Sequence, residues 1–358
     1  MVTSTALWAE WVQKPMGLEV FARSQADQGK YAGKVLAGKY LLTQTLGEGG
    51  EGVIYAGHLR YDPEQIYAFK VGYTAATEEF ASDGLPNDPV LREHAVMKSL
   101  SSMYVPKVRE SGLTTAGYPF SVRTLLPGLS LAKLLKRAPC SSFANALMIG
   151  RALCQAVRSV HDQGILHRDI KPGNIVIAPA LDGDISLRLI DFAAGCRIQE
   201  ERTEEEKAPL GTPAYMAPER AQGKAAGKGG DIYSIGAILY ELLTGRSLLG
   251  PDAYNMETAH QILQGAMPIP AVPIREFRPD LPPEIGHTIS KMVSRVPEER
   301  NVDLESLEAL LTMYIRKDQA NPAWFSLPRR STSQVTALPR EAWHKKMFRK
   351  MSQWWNRR

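Results

Sequence analysis

The segment His167-Arg168-Asp169-Ile170-Lys171-Pro172-Gly173-Asn174 places an acid, two bases and a side-chain amide within eight consecutive residues. A carboxylate in such a loop can orient a hydroxyl or accept its proton. Lys171 can neutralise a transferring phosphoryl group, and the Asn174 carbonyl oxygen suits a hard cation. Downstream, Asp191-Phe192-Ala193 follows a predicted strand, Leu187–Ile190. A carboxylate at a strand end is a plausible magnesium ligand.

Upstream, Gly47-x-Gly49-x-x-Gly52-Val53 falls between two predicted strands. Glycines let a backbone turn tightly and bring its N–H groups close to phosphate oxygens. A lone turn of this composition is more often an ordinary hairpin. A strand follows it rather than a helix, which argues against a dinucleotide-binding unit. It also lacks the Gly-Lys-Ser/Thr ending of a P-loop. Lys70 ends the apolar strand Tyr67-Ala68-Phe69, eighteen residues after Gly52, where a phosphate needs a partner. Glu93, on the helix that follows, can pair with Lys70 and fix it.

The framework around these residues changes character along the chain. Tyr40–Leu46, Val53–Leu59 and Ile66–Tyr73 read as an antiparallel hairpin series punctuated by glycine and by Tyr61-Asp62-Pro63. Asp88 and Pro89 mark a helix start. Strands are predicted near Lys107–Glu110 and Phe120–Leu126. After Pro127-Gly128 the chain reads as helical. Ser142 caps a stripe formed by Phe143, Leu147, Gly150, Leu153, Val157 and Val160. Ile232–Leu243 is apolar on almost every side and stops at Gly245, the pattern of a buried helix. Residues 268–283 hold six prolines and read as an irregular connection; Asp303–Ile315 reads as a last amphipathic helix.

Length and composition bound the architecture. At about 150 residues per domain, 358 residues make two domains or one large bilobal unit. With 44% hydrophobic and 23% charged residues, the chain is neither disordered, collagen-like nor coiled coil. Cys140, Cys154 and Cys196 lack zinc-site spacing and are expected to be free thiols in a reducing cytoplasm. No apolar run is long enough to span a membrane, and the N-terminus does not read as a signal peptide. The net charge of +5 is uneven: Arg329 to Arg358 carry +8, leaving −3 for the rest.

Taken in order, these motifs resemble those of eukaryotic-type (Hanks-type) serine/threonine protein kinases, and the likeness runs from about Tyr40 to Arg316. Gly211-Thr212-Pro213-Ala214-Tyr215-Met216-Ala217-Pro218-Glu219 resembles the segment that closes the activation loop. Asp231-Ile232-Tyr233-Ser234-Ile235-Gly236 resembles the start of the central helix, and Arg300 stands where the family places the partner of Glu219. His-Arg-Asp-Ile-Lys-Pro-Gly-Asn and Ala-Pro-Glu-Arg look most like bacterial members.

The resemblance implies an α+β, bilobal fold: an antiparallel sheet plus one helix in an N-lobe (about 38–126) and a mainly helical C-lobe (about 127–316). Residues 1–37 read as an extension, 317–339 as a Pro/Ser/Thr-rich linker, and 340–358 as a basic amphipathic tail. By similarity, Gly47, Gly49 and Gly52 cover the phosphates of ATP, and Val53 and Ala68 sandwich the adenine, with Thr124 and Leu126 beside it. Lys70, positioned by Glu93, holds the α- and β-phosphates. Asp169 is the catalytic base and Lys171 steadies the γ-phosphate. Asn174 and Asp191 bind Mg2+, with Mn2+ as the alternative. Lys171 and Thr212 imply Ser or Thr hydroxyls of proteins as acceptors, with autophosphorylation expected. Arg168 implies an activation-loop phosphate, with Thr203, Thr212 and Tyr215 as acceptors and Thr203 the favoured one. The acidic run around Thr203 is equally a solvated loop.

Two positions depart from the family pattern. Ala193 replaces a glycine, which costs little if φ stays negative there. Arg123 falls where the family places an apolar residue guarding the back of the adenine pocket. Either the register is displaced by one residue, or the pocket is unusual and Arg123 reaches Glu93 in competition with Lys70. These departures support a second reading, a pseudokinase acting as a nucleotide-binding scaffold. In the tail, Trp343, Met347, Met351 and Trp354 recur at helical spacing among Lys345, Lys346, Arg349, Lys350, Arg357 and Arg358. Such a helix suits an anionic membrane surface, an acidic protein or the chain's own core. Nucleic acid is disfavoured, because no binding fold accompanies the charge. The expected location is cytoplasmic, with a peripheral position at the inner membrane face through the tail.

Overall fold

The computed structural model describes residues 31–320 except 77–78, 81–83, 138–141, 181–183, 201–211, 251–256, 258–260 and 262–272. Most of the N-terminal extension, Cys140, Thr203 with its acidic neighbours, most of the linker and the whole basic tail lie outside the described residues.

Six strands form the first layer: β1 (Val35–Leu36), β2 (Tyr40–Glu48), β3 (Gly52–Leu59), β4 (Asp62–Gly72), β5 (Val108–Leu113) and β6 (Pro119–Thr124). Their order is β1-β2-β3-β4-β6-β5, antiparallel throughout. Residues two apart share a face of a strand, so Tyr40 and Leu42, Tyr67, Phe69 and Val71 turn together into one buried cluster with Tyr55, Phe120 and Val122. Tyr40 packs edge-on to Phe69, with ring centroids 5.1 Å apart. Strand β4 begins four residues before the expected Ile66. Pro63 is tolerated there because the pairing with β3 skips from Asp62 to Ile66 and β6 pairs only from Tyr67 onward, so no ladder donor is needed from it.

Helix α1 (Pro89–Ser99) packs behind this sheet. The Asp88 carboxylate accepts from the N–H groups of Val90 and Leu91 at 2.9 and 3.0 Å, and Pro89 occupies a position that needs no donor. Its buried residues divide: Val96 and Met97 belong to the large core of the second lobe, while Glu93 faces the cleft.

That lobe is built from α2 (Leu131–Arg137), α3 (Phe143–His161), α4 (Gly227–Thr244), α5 (Pro283–Met292) and α6 (Leu304–Ala320). Ser142 caps α3 by accepting from Asn145 N at 3.2 Å. Gly245 ends α4 in the left-handed region, φ 69°, donating to Glu241 O at 2.7 Å. Helix α4 starts five residues before the apolar run. The segment 268–283 is not wholly irregular: Ile274–Phe277 makes one turn after Pro273, and Pro283 opens α5. Prolines serve there as first-turn residues.

Short strands carry the loop of residues 167–174. β7 (Leu129–Ser130), β9 (Ile175–Pro179) and β10 (Ile185–Leu189) form a sheet in the order β10-β9-β7, and β8 (Ile165–Leu166) pairs with β11 (Cys196–Arg197). Residues 167–174 are thus suspended between β8 and β9. The pairing Ile175↔Leu189 brings Asn174 beside the end of β10, where Ile190 N donates to Asn174 O at 3.0 Å. Gly128 sits at the junction of the lobes, φ 114°, and a Cβ there would lie 2.3 Å from Ile177 O. Among the described residues, no helix is long and apolar enough to cross a membrane.

Candidate active site

Asp231, in the first turns of α4 and 1% exposed, fixes the 167–174 loop. Its carboxylate accepts from His167 N at 3.0 Å, Arg168 N at 2.9 Å and the His161 ring at 2.8 Å. Burial pushes this carboxyl up, but the hydrogen bond and charge of His161 and the His167 N–H outweigh it, and it stays below its ordinary 3.8. The clamp holds Arg168 at φ 66°, a left-handed conformation that costs a non-glycine residue energy and persists because its surroundings enforce it. Asp169 N donates to His167 Nδ1 at 3.3 Å, and His167 Nε2 lies 3.2 Å from Ile190 O. This pattern assigns the proton to Nε2. The His167 ring packs on Phe192 at 4.4 Å.

Within the loop the side chains converge. Asp169 Oδ2 accepts from Lys171 Nζ at 2.7 Å and from Asn174 Nδ2 at 2.9 Å. Asn174 Nδ2 also donates to Asp169 O at 2.9 Å, so its contacts use the nitrogen and leave the carbonyl oxygen for a cation. Asp191, not Ala193, carries the positive φ (67°) in the next segment, so alanine at 193 meets no conformational penalty.

The second cluster spans the cleft. Lys70 Nζ donates to Glu93 Oε2 at 2.9 Å, to Asp191 Oδ1 at 3.3 Å and to Glu51 Oε2. Burial draws the ammonium down, but Glu93, Asp191 and Glu51 outweigh it, so Lys70 is held charged well above the ordinary range. Glu93 is 1% exposed and its other oxygen takes two donors, Arg123 Nη1 and Asp191 N at 3.1 Å. Burial alone raises the Glu93 carboxyl; Arg123 and Lys70 together drive it well below the usual carboxylate range. The register Ala68↔Arg123 places the guanidinium at the back of the cleft. The pocket is therefore unusual rather than misread, and Arg123 shares Glu93 with Lys70 instead of displacing it. Arg92 adds a tether from α1, with Nε and Nη2 donating to Gly195 O at 3.2 and 3.1 Å.

The glycine turn closes over this cluster, with Gly49 N donating to Gly52 O at 3.0 Å. Its glycines are unequal. A Cβ on Gly52 would stand 2.3 Å from Val71 O, so strand contact demands glycine there, whereas Gly47 has open space around it. Val53 follows on β3, and Ala68 is buried on β4. Thr124 ends β6 exposed, its N–H on Lys107 O at 2.9 Å, and Leu126 is half-buried beyond it. Glu51 was not singled out from sequence. Its signal was a carboxylate at the tip of a glycine turn, but only the curl of the sheet aims it at Lys70. Burial pushes the Glu51 carboxyl up despite that lysine.

On the other side of Asp169, Glu219 and Arg300 form a two-pronged ion pair, both contacts 2.5 Å, with Arg300 2% exposed. Tyr215 donates to Glu241 at 2.6 Å and is buried, which removes its hydroxyl from the accessible acceptors. Ser234 donates to Tyr215 O at 2.8 Å, so α4 holds this segment.

A curled antiparallel sheet with one helix, a helical lobe and a cleft where these clusters meet define a two-lobed fold with a charged cleft. Residues 40–311 match the family model described as the protein kinase domain, and the chain belongs to that family. It is 27% identical over 294 residues to Serine/threonine-protein kinase A of Synechocystis sp., covering 77% of this chain and 54% of that protein. It is 29% identical over 307 residues to Serine/threonine-protein kinase PknE of Mycobacterium tuberculosis, covering 86% and 51%. Serine/threonine-protein kinase PknH of Mycobacterium bovis is 28% identical over 264 residues, 74% and 42%. The chain spans about half the length of these relatives.

Proposed function

We propose that this chain is a serine/threonine protein kinase that transfers the γ-phosphoryl group of ATP to Ser or Thr hydroxyls of proteins, its own included. The single observation that carries this reading is the convergence of Asp169, Lys171 and Asn174 by hydrogen bonds on one clamped loop, facing the Lys70–Glu93 pair. The names of its relatives support the same acceptor class.

Asp169 Oδ2 is engaged by Lys171 and Asn174, which leaves Oδ1 to take a hydroxyl proton as the acceptor oxygen attacks phosphorus and ADP departs. Lys171 brings positive charge to the transferring group. Lys70 neutralises the α- and β-phosphates, and Glu93 with Arg123 keeps its ammonium in place. The glycine turn supplies backbone N–H groups, and the open Cβ space at Gly47 admits a phosphate. Val53 and Ala68 enclose the adenine, beside Thr124 and Leu126. The Asn174 carbonyl and the Asp191 carboxylate are the hard oxygen ligands that Mg2+ prefers; Mn2+ is the alternative. A bound divalent cation supplies charge neutralisation and orients the phosphates. Positioning and charge stabilisation dominate phosphoryl transfer, and these residues provide both. Both departures from the family pattern leave this machinery whole, which favours the enzyme over a scaffold. A finer partner, an anionic surface or acidic protein held by residues 340–358, rests on sequence alone.

Autophosphorylation with labelled ATP and Mg2+ tests the reading, wild type against Asp169→Asn. Incorporation is expected to fall by about 100-fold or more in the variant, with ATP binding retained. Equal incorporation in both, or none in wild type that still binds ATP, overturns it.

A further inference from the structure

Lys70 has no donor to spare. An ammonium carries three N–H groups, and three carboxylates surround this one: Glu93 at 2.9 Å, Asp191 at 3.3 Å and Glu51. A phosphate oxygen that takes a bond from Lys70 must displace one of them. Glu93 is buried and also held by Arg123 and the Asp191 N–H, so it stays. Asp191, two residues beyond β10, has a side chain 30% exposed, but its backbone N–H is bound to Glu93, which keeps its carboxylate within reach of Lys70. Glu51 sits on the glycine turn, where Gly47 and Gly50 have open space around them; about a third of its side chain is exposed (34%), and Lys70 is its one hydrogen-bond partner among the described residues.

Electrostatics point the same way. Carboxylate oxygens of Glu51, Glu93 and Asp191 lie within 4.8 Å of one another. A polyphosphate brought to Lys70 adds like charge to that group, and Glu51 is the member that can retreat.

We propose that Glu51 is a specificity-determining residue of the phosphate subsite, an internal carboxylate that competes with the β-phosphate of the nucleotide for Lys70. The penalty it imposes falls on nucleotides that carry a β-phosphate and not on adenosine. This rests on the reading of Lys70 as the phosphate-holding residue.

Binding of adenosine, ADP and ATP, the nucleotides with Mg2+, to wild type, Glu51→Gln and Glu51→Ala measures it, with thermal midpoints confirming folding. Glu48→Gln, on the same turn but without contact to Lys70, controls for general charge. Both Glu51 variants are expected to bind ADP and ATP about 3- to 20-fold tighter, the value of a part-buried charged hydrogen bond. Adenosine affinity should stay within about twofold, and Glu48→Gln should show no phosphate-dependent gain. Equal tightening for all three ligands, no tightening, or weaker ATP binding in the Glu51 variants overturns the proposal. Lys70→Met separates the two layers: if it leaves ATP affinity unchanged, the assignment of Lys70 itself fails. If ATP weakens in Lys70→Met while the Glu51 variants bind as wild type does, only the role of Glu51 fails.

Discussion

Replacing Arg123 with methionine removes one of the two cations that compensate Glu93. In the wild type this buried carboxylate has Lys70 on one oxygen and Arg123 with the Asp191 N–H on the other. Stripping a buried ion of its only partner costs about 3–5 kcal/mol. Here Lys70 and one N–H remain, and methionine fills similar volume, so the loss reduces to one hydrogen bond to a charged group, about 1.5–3 kcal/mol. For a domain of about 280 residues, at roughly 2.1 cal/mol/K of unfolding entropy per residue, that lowers the thermal midpoint by about 3–5 °C. A double-mutant cycle isolates the contact. Arg123→Met, Glu93→Gln and the pair are measured by denaturant unfolding. With the carboxylate neutralised, losing Arg123 should cost much less, and the coupling should exceed about 1 kcal/mol. Losses that add to within about 0.5 kcal/mol would refute the reasoning, since independent sites behave so.

Two further outcomes follow from the same geometry. Asp231→Asn leaves the N–H groups of His167 and Arg168 facing a side chain that cannot accept from all of its donors, and should cost about 3–5 kcal/mol in urea unfolding at neutral pH. Because Asp231 sits below its ordinary 3.8 when folded, the stability it confers is complete above that value and is lost as pH falls through the lower one. The gap between variant and wild type should therefore narrow on acidification below about pH 3.8, and a gap that widens there would contradict the assignment. Gly52→Ala drives a methyl onto Val71 O, so β3 and β4 must part: about 2 kcal/mol or more of stability should be lost, against under about 1 kcal/mol for Gly47→Ala, which meets nothing.

Much of the molecule was legible in local chemistry. Asp88-Pro89 and Ser142 announced helix starts because capping depends only on residues a turn apart. The strands that carry the glycine turn and Lys70 showed as apolar and β-branched runs, and Gly245 marked a helix end through its left-handed φ. Of the short strands, Leu187–Ile190 was read and corresponds to β10 (Ile185–Leu189), whereas β8, β9 and β11 were not: two- to five-residue strands draw their stability from partners distant in sequence.

The sequence alone determined which groups are present and in what order: an acid, a lysine and an amide on one loop, a lysine behind a glycine turn, a glutamate on the following helix. Adjacency and capping are short-range, and eight residues in a row carry their own spacing. Only the tertiary structure decided how those charges are shared. Whether Arg123 competes with Lys70 or joins it depends on which Glu93 oxygen each reaches. Whether Glu51 is a solvated loop charge or a third carboxylate on Lys70 depends on the curl of three strands. Those distances are set by packing across 19 to 121 residues of chain, and Coulomb energies that vary inversely with distance cannot be read from spacing.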